Sequence, residues 1–185
     1  MKILSAFIFI MLVSAESQAG FLLELSGTYL SDSLKSGTTD SSTQYFYNVG
    51  ALFNIKQNLW GGWSYLGINT SESSNSVSTT FSTADTGPYV KWQFGRSQIY
   101  SLSMAYNILS KATYKTGSST AEAWQGTSFW ISFGIMPELS SNLHLGASLN
   151  YYAASYTKKT ISGSETSSSD SKSWIFPSVS ITKSW

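Results

Sequence analysis

The feature that most constrains this chain is an alternation of period two whose faces are the wrong way round for water. Between residues 43 and 55, Tyr45, Tyr47, Val49, Ala51, Phe53 and Ile55 fall on one face. Gln44, Asn48, Gly50 and Asn54 fall on the other, with Phe46 and Leu52 as apolar exceptions. Period two is the signature of a β-strand. A strand of a soluble domain turns its apolar face to the core and sets charges against it. Here the opposing face is Ser, Gly, Asn and Gln, and charged residues are only 11% of the chain. Large apolar outside and small polar inside suits a strand solvated by lipid, where the wall must close so that every backbone group is paired. A secreted β-sandwich or lectin-like domain would also alternate, but with its faces the other way round.

The pattern recurs along the chain, over about residues 20–31, 43–55, 59–69, 86–94, 98–109, 123–136, 142–153 and 174–185. In 98–109, for example, Tyr100, Leu102, Met104, Tyr106 and Ile108 oppose Ser101, Ser103, Ala105 and Asn107. The phase of 59–69 is open, because Trp63 and Tyr65 compete with Trp60, Leu66 and Ile68 for the outer face. Short connections at Lys56–Asn58, Gly95–Ser97 and Pro137–Ser141 alternate with Ser/Thr-rich stretches at 31–43, 70–84, 110–122 and 154–172, which read as long surface loops. A membrane strand needs about 9–11 residues at its tilt. The fold expected is all-β, an eight-stranded antiparallel up-and-down transmembrane β-barrel over residues 20–185, with short turns on one side and long loops on the other. Pro177, on the outward face of the last strand, predicts a local bulge or one missing ladder bond.

Residues 1–19 read as a cleaved signal peptide: Lys2, the apolar run Ile3–Val13, and Ser17-Gln18-Ala19 as a small-x-small cleavage site. The run is too short for a helical span, which takes about 20 residues. The chain has no Cys, which excludes disulfides and lipid acylation at Cys. Its net charge of +1 carries no basic excess for nucleic acid.

At the other end, Ile175, Pro177, Val179 and Ile181 alternate with Ser178, Ser180 and Thr182 and lead to Trp185. This resembles the C-terminal strand of bacterial outer-membrane β-barrels, although Lys183 departs from the pattern. With the eight-strand plan, the whole of 20–185 resembles the small barrels of the outer membrane protein A transmembrane-domain and outer membrane protein X type. The resemblance implies that Val179, Ile181 and Trp185 form an assembly signal read by the barrel assembly machinery, with periplasmic chaperones as transient partners. It also implies a bacterial outer-membrane location among lipopolysaccharide and phospholipid.

Aromatic residues at strand ends predict two interface belts: Trp60, Phe94 and Tyr100 at the short-turn side, and Tyr29, Tyr45, Tyr106, Tyr151 and Trp174 at the long-loop side. Three ionisable residues fall on inward faces: Glu24, Lys91 and His144. They predict a polar cluster in the lumen with a Glu24–Lys91 pair; single hydrogen bonds to neighbouring polar groups are the alternative. No catalytic or cofactor site is expected. His144 is the only histidine, the His and Ser two residues apart that resemblance to the lipid A deacylase barrels would imply are absent because Gly146 holds the second position, and zinc would lack Cys or a second His. Inward Leu22, Phe46, Leu52, Trp130, Tyr152 and Phe176 predict a largely filled lumen, since eight strands leave room only for side chains. The function expected is structural or interactive, through surface loops or the outer wall, with another envelope protein as a possible partner. The alternatives are a small porin-like pore and, further off, a lipid-modifying envelope enzyme.

Overall fold

The computed structural model describes residues 20–185, apart from Gly37, Asn75 and Ser76; the proposed signal peptide lies outside the described residues. Eight long strands form the wall: β1 (Phe21–Ser36), β2 (Thr38–Lys56), β3 (Leu59–Ser74), β4 (Val77–Phe94), β5 (Tyr100–Thr116), β6 (Glu122–Ile135), β8 (Leu143–Ile161) and β9 (Ser164–Ser184). A three-residue β7 (Glu138–Ser140) lies in the turn between β6 and β8 and pairs only with β8. Each wall strand pairs antiparallel with its neighbours in sequence, and β1 closes on β9. The architecture is the eight-stranded up-and-down barrel expected.

The strands are longer than the alternation suggested. The Ser/Thr-rich stretches read as loops are mostly strand. β8 and β9 pair in register from Leu143–Lys183 out to Ile161–Ser164, broken only between Tyr156 and Lys158. They join through Ser162 (φ 50) and Gly163 (φ 84). Two successive positive φ values make the tight turn that matches strand twist, and glycine adopts the second at no steric cost. Beyond the bilayer neither face of a strand meets lipid, so the ladder continues without the apolar alternation. β1–β2 and β3–β4 likewise extend as long hairpins.

The outer wall is apolar. Phe53, Ile55, Ile175 and Val179 are each at least 60% exposed, and they belong to a band running round every strand. A soluble monomer does not carry so large a continuous apolar surface. The core is the lumen, filled by Leu22, Phe46, Leu52, Leu66, Ile68, Tyr89, Trp130, Tyr152 and Phe176. The phase of β3 is now settled: Trp60, Ser64, Leu66 and Ile68 face inward, and Trp63 and Tyr65 face out.

The β1–β9 seam is the shortest. It runs in register only from Leu22–Ser184 to Gly27–Val179. Phe21 and Trp185 exchange both backbone bonds (3.3 and 2.9 Å), whereas Ser184 donates to Asn142 on the other side. Antiparallel ladders alternate in this way, so Lys183, Ile181, Val179 and then Pro177 turn their backbone groups to β1. The pair after Gly27–Val179 would be Tyr29–Pro177, and proline has no N–H to donate. The seam opens there. Pro177 makes no bulge against β8, where Leu149–Pro177 stays in register. Its effect is the missing bond, on the β1 side. The eight steps from Phe21 to Tyr29 give about 27 Å of strand, or about 20 Å of height at a tilt near 40°. The last paired step is Gly27–Val179, and Tyr29, an outward tyrosine 67% exposed, stands just beyond it.

Candidate functional site

Four inward layers follow the odd residues of β4 from the short-turn end to the hairpin end: Lys91, Tyr89, Asp85 and Phe81. At the short-turn end Lys91 crosses the lumen to Glu24 on β1, Nζ to Oε2 2.6 Å, with both side chains at most 3% exposed. The Tyr89 hydroxyl donates to Glu24 Oε2 (3.0 Å) and Ser26 Oγ to Oε1 (3.0 Å). Lys91 also reaches Met136 Sδ at 3.3 Å. A buried ion pair persists only when its remaining valences are filled in this way. The predicted pair is present. His144 is buried in the same layer but stands outside the pair, its Nδ1 lying 3.2 Å from the Met136 carbonyl.

The next layer is aromatic. Phe46 lies between Phe176 (4.7 Å between centroids) and Trp130 (6.1 Å), and Trp130 packs on Tyr89 (5.6 Å). Asn150 accepts the Trp130 indole N–H (3.2 Å) and donates to Ser178 Oγ (2.8 Å) and the Phe176 carbonyl (3.1 Å). Asn150 thus ties the polar groups of this layer together, whereas Asn48 and Ser64, buried beside it, have no side-chain partner.

Asp85, fully buried, follows. Thr83 donates to one carboxylate oxygen, and Ser128 (2.8 Å) and Tyr152 (2.5 Å) donate to the other. The sequence pattern does not expose this residue, because the clear alternation begins only at 86. Carrying the parity of Lys91 and Gln93 back along β4 would have placed it in the lumen.

An aromatic cap closes the hairpin end. Phe81 meets Trp124, Tyr156 and Trp174 at 5.9, 6.2 and 5.3 Å. Lys172 lies over Phe81 and Tyr114, and Lys159 over Trp124. Glu122 joins the cap, bonding Lys159 (2.7 Å) and the Trp124 indole (3.0 Å). The hydrogen bond to this carboxylate holds the Lys159 ammonium above the usual lysine range.

Two of the expected interface aromatics belong to this interior. Trp60 is 8% exposed and donates its indole N–H to Gln93 Oε1 (3.0 Å). Trp174 shares the inward parity of Phe176 and packs on Phe81 and Tyr152. A strand-end aromatic joins a belt only when its parity is outward, and both of these have inward parity. The other six lie on the outer wall: Tyr29, Tyr45, Tyr106 and Tyr151 are exposed, and Phe94 and Tyr100 stack at 5.8 Å near the short-turn end. Val179 and Ile181 face outward, 60% and 40% exposed, and Trp185 packs on Phe21 at 5.7 Å.

The sequence matches no protein-family model and no curated protein sequence. Among solved structures, the chain is similar to Neisserial surface protein A, with a TM-score of 0.57 at 13% identity, over 90% of this chain and 99% of that one. It also matches the translocator domain of the autotransporter NalP from Neisseria meningitidis, with a TM-score of 0.45 at 11% identity, over 97% of this chain and 65% of that one. The first likeness takes in nearly the whole of both chains, so the complete closed wall is shared rather than a hairpin. At that identity it shows the fold alone: this chain has the fold of the small outer-membrane β-barrels.

Proposed function

We propose that this chain is an integral outer-membrane protein whose barrel is a closed scaffold, with its work done by the hairpins and the outer wall. The observation that carries the reading is the filled lumen. Three of its layers block passage in turn: the Glu24–Lys91 pair, the Phe46–Trp130–Phe176 stack, and the cap around Phe81 and Trp124. A pore needs a continuous polar path, and bulky buried rings at two depths interrupt it. A catalytic role would fall to His144, whose Nδ1 is taken up by a backbone carbonyl, with Gly146 beyond it. The role is therefore structural or interactive, in contact with lipopolysaccharide and phospholipid and with another envelope protein as partner. Residues 1–19 would direct export, and Val179, Ile181 and Trp185 would be read by the assembly machinery.

The reading fixes an orientation, with the short turns periplasmic and the four hairpins at the cell surface. The chain has no cysteine, so single-cysteine variants report without background. Ser168→Cys, on the β8–β9 hairpin, is expected to react with a membrane-impermeant maleimide on intact cells. Val49→Cys, in the apolar band, is expected to stay unlabelled until detergent is added. Labelling of Ser168→Cys only after permeabilisation would reverse the orientation, and labelling of Val49→Cys on intact cells would remove the band from lipid.

A further inference from the structure

Two carboxylates are buried in this lumen, and they are compensated differently. Glu24 has Lys91. Asp85 has only neutral donors: Thr83, Ser128 and Tyr152. Among the described residues no Lys, Arg or His nitrogen lies within salt-bridge distance of it. Lys172, the inward lysine of β9, is held over Phe81 and Tyr114, and Phe81 lies four residues nearer the hairpin end of β4 than Asp85. A buried charge with no opposite charge is far costlier than a paired one.

The groups around Asp85 are unfinished in a matching way. Asn107 Oδ1, Ser110 Oγ and the Tyr156 hydroxyl are buried without a well-aligned hydrogen bond, although the Tyr156 hydroxyl lies near those of Ser110 and Tyr152, and all three residues are 0% exposed. They belong to the same place. Asp85, Ser110, Gly126 and Tyr156 form one cross-strand row through β4, β5, β6 and β8. Asn107 donates its amide to Ser128 (2.9 Å), and Ser128 donates to Asp85. That leaves the Asn107 carbonyl oxygen without a partner, with the Ser128 hydroxyl linking its amide to the carboxylate. The wall is irregular around this row. The ladder slips between Thr86 and Tyr89, between Asn107 and Ser110, and between Gln125 and Gly126. Bulges re-aim side chains and gather beside functional positions.

We propose that Asp85 is the charged ligand of a monovalent alkali-cation site in the lumen, completed by the free oxygens of Asn107, Ser110 and Tyr156. Every available donor is an oxygen, which selects a hard cation. One carboxylate among neutral oxygens balances a single positive charge, which favours an alkali ion over a divalent one. The bound ion would compensate Asp85 and fasten four strands where their ladder is interrupted.

The test is unfolding of the purified full barrel in detergent, in lithium, sodium, potassium or choline chloride at constant ionic strength and pH. One small alkali ion is expected to raise the unfolding midpoint saturably over choline. At a hundredfold excess over its dissociation constant, the ion raises the folding equilibrium constant about a hundredfold. Asp85→Asn is expected to abolish the ion dependence. Ser110→Ala, which removes one neutral ligand and should fold whatever Asp85→Asn does, is expected to shift the titration to higher concentration. Equal midpoints in all four salts would overturn the proposal. So would a midpoint that follows pH and ignores the cation, since the carboxyl group would then hold a proton in place of an ion.

Discussion

Lys91→Met is expected to destabilise the barrel by about 3–5 kcal/mol, because it strands a buried carboxylate. Glu24 would keep only the hydroxyls of Tyr89 and Ser26. Glu24→Gln is expected to cost a similar amount from the other side, leaving the Lys91 ammonium against the Met136 sulfur. The double variant Glu24→Gln/Lys91→Met removes both charges and is expected to recover most of the loss, so the two changes are strongly non-additive. Urea unfolding in lipid vesicles measures all four corners of the cycle. If each single change cost under about 1 kcal/mol and the two simply added, the pair would behave like an exposed one, and the short-turn end of the lumen would be wet.

Trp130→Ala is expected to cost about 3–5 kcal/mol, as for other large-to-small changes in a packed interior. The indole fills the centre of the lumen between Phe46 and Tyr89, and its loss also leaves Asn150 Oδ1 without its donor. The control is Phe133→Ala on the same strand. Phe133 faces outward and is 50% exposed, so lipid fills the space that the ring leaves. It is expected to cost less than half as much in vesicles. The reverse order would mean that the apolar core lies outside the wall, as in a soluble sandwich.

Much of this interior is legible in the sequence wherever parity and chemistry agree. Glu24 and Lys91 each sit on the small polar face of a clear alternation, so their meeting across the lumen follows from strand phase. The same holds for Phe46, Trp130 and Phe176, which break an otherwise polar face. Legibility fails where one of the two signals is missing. In β3, aromatic residues occupy both parities around Gly61 and Gly62, so Trp60 cannot be placed from the pattern. Trp174 had the right parity beside Phe176, but its place at the strand end suggested an interface. In the hairpins no face meets lipid, so the apolar signal ends while the ladder continues. The hairpin strands therefore have the composition of loops, and Asp85, at the boundary, carries no alternation to mark it. The opening of the β1–β9 seam needs one thing the sequence does not state: which neighbour the Pro177 backbone faces.

The central claim is that the lumen is closed. Its most direct test is conductance of the purified wild-type protein in planar lipid bilayers. No stable, voltage-independent channel is expected, because Trp130, Tyr89 and Tyr152 are each at most 1% exposed within the wall. Large, reproducible conductance steps, abolished by bulky substitution at the inward Ser103 or Ser148, would contradict the account and make the barrel a pore.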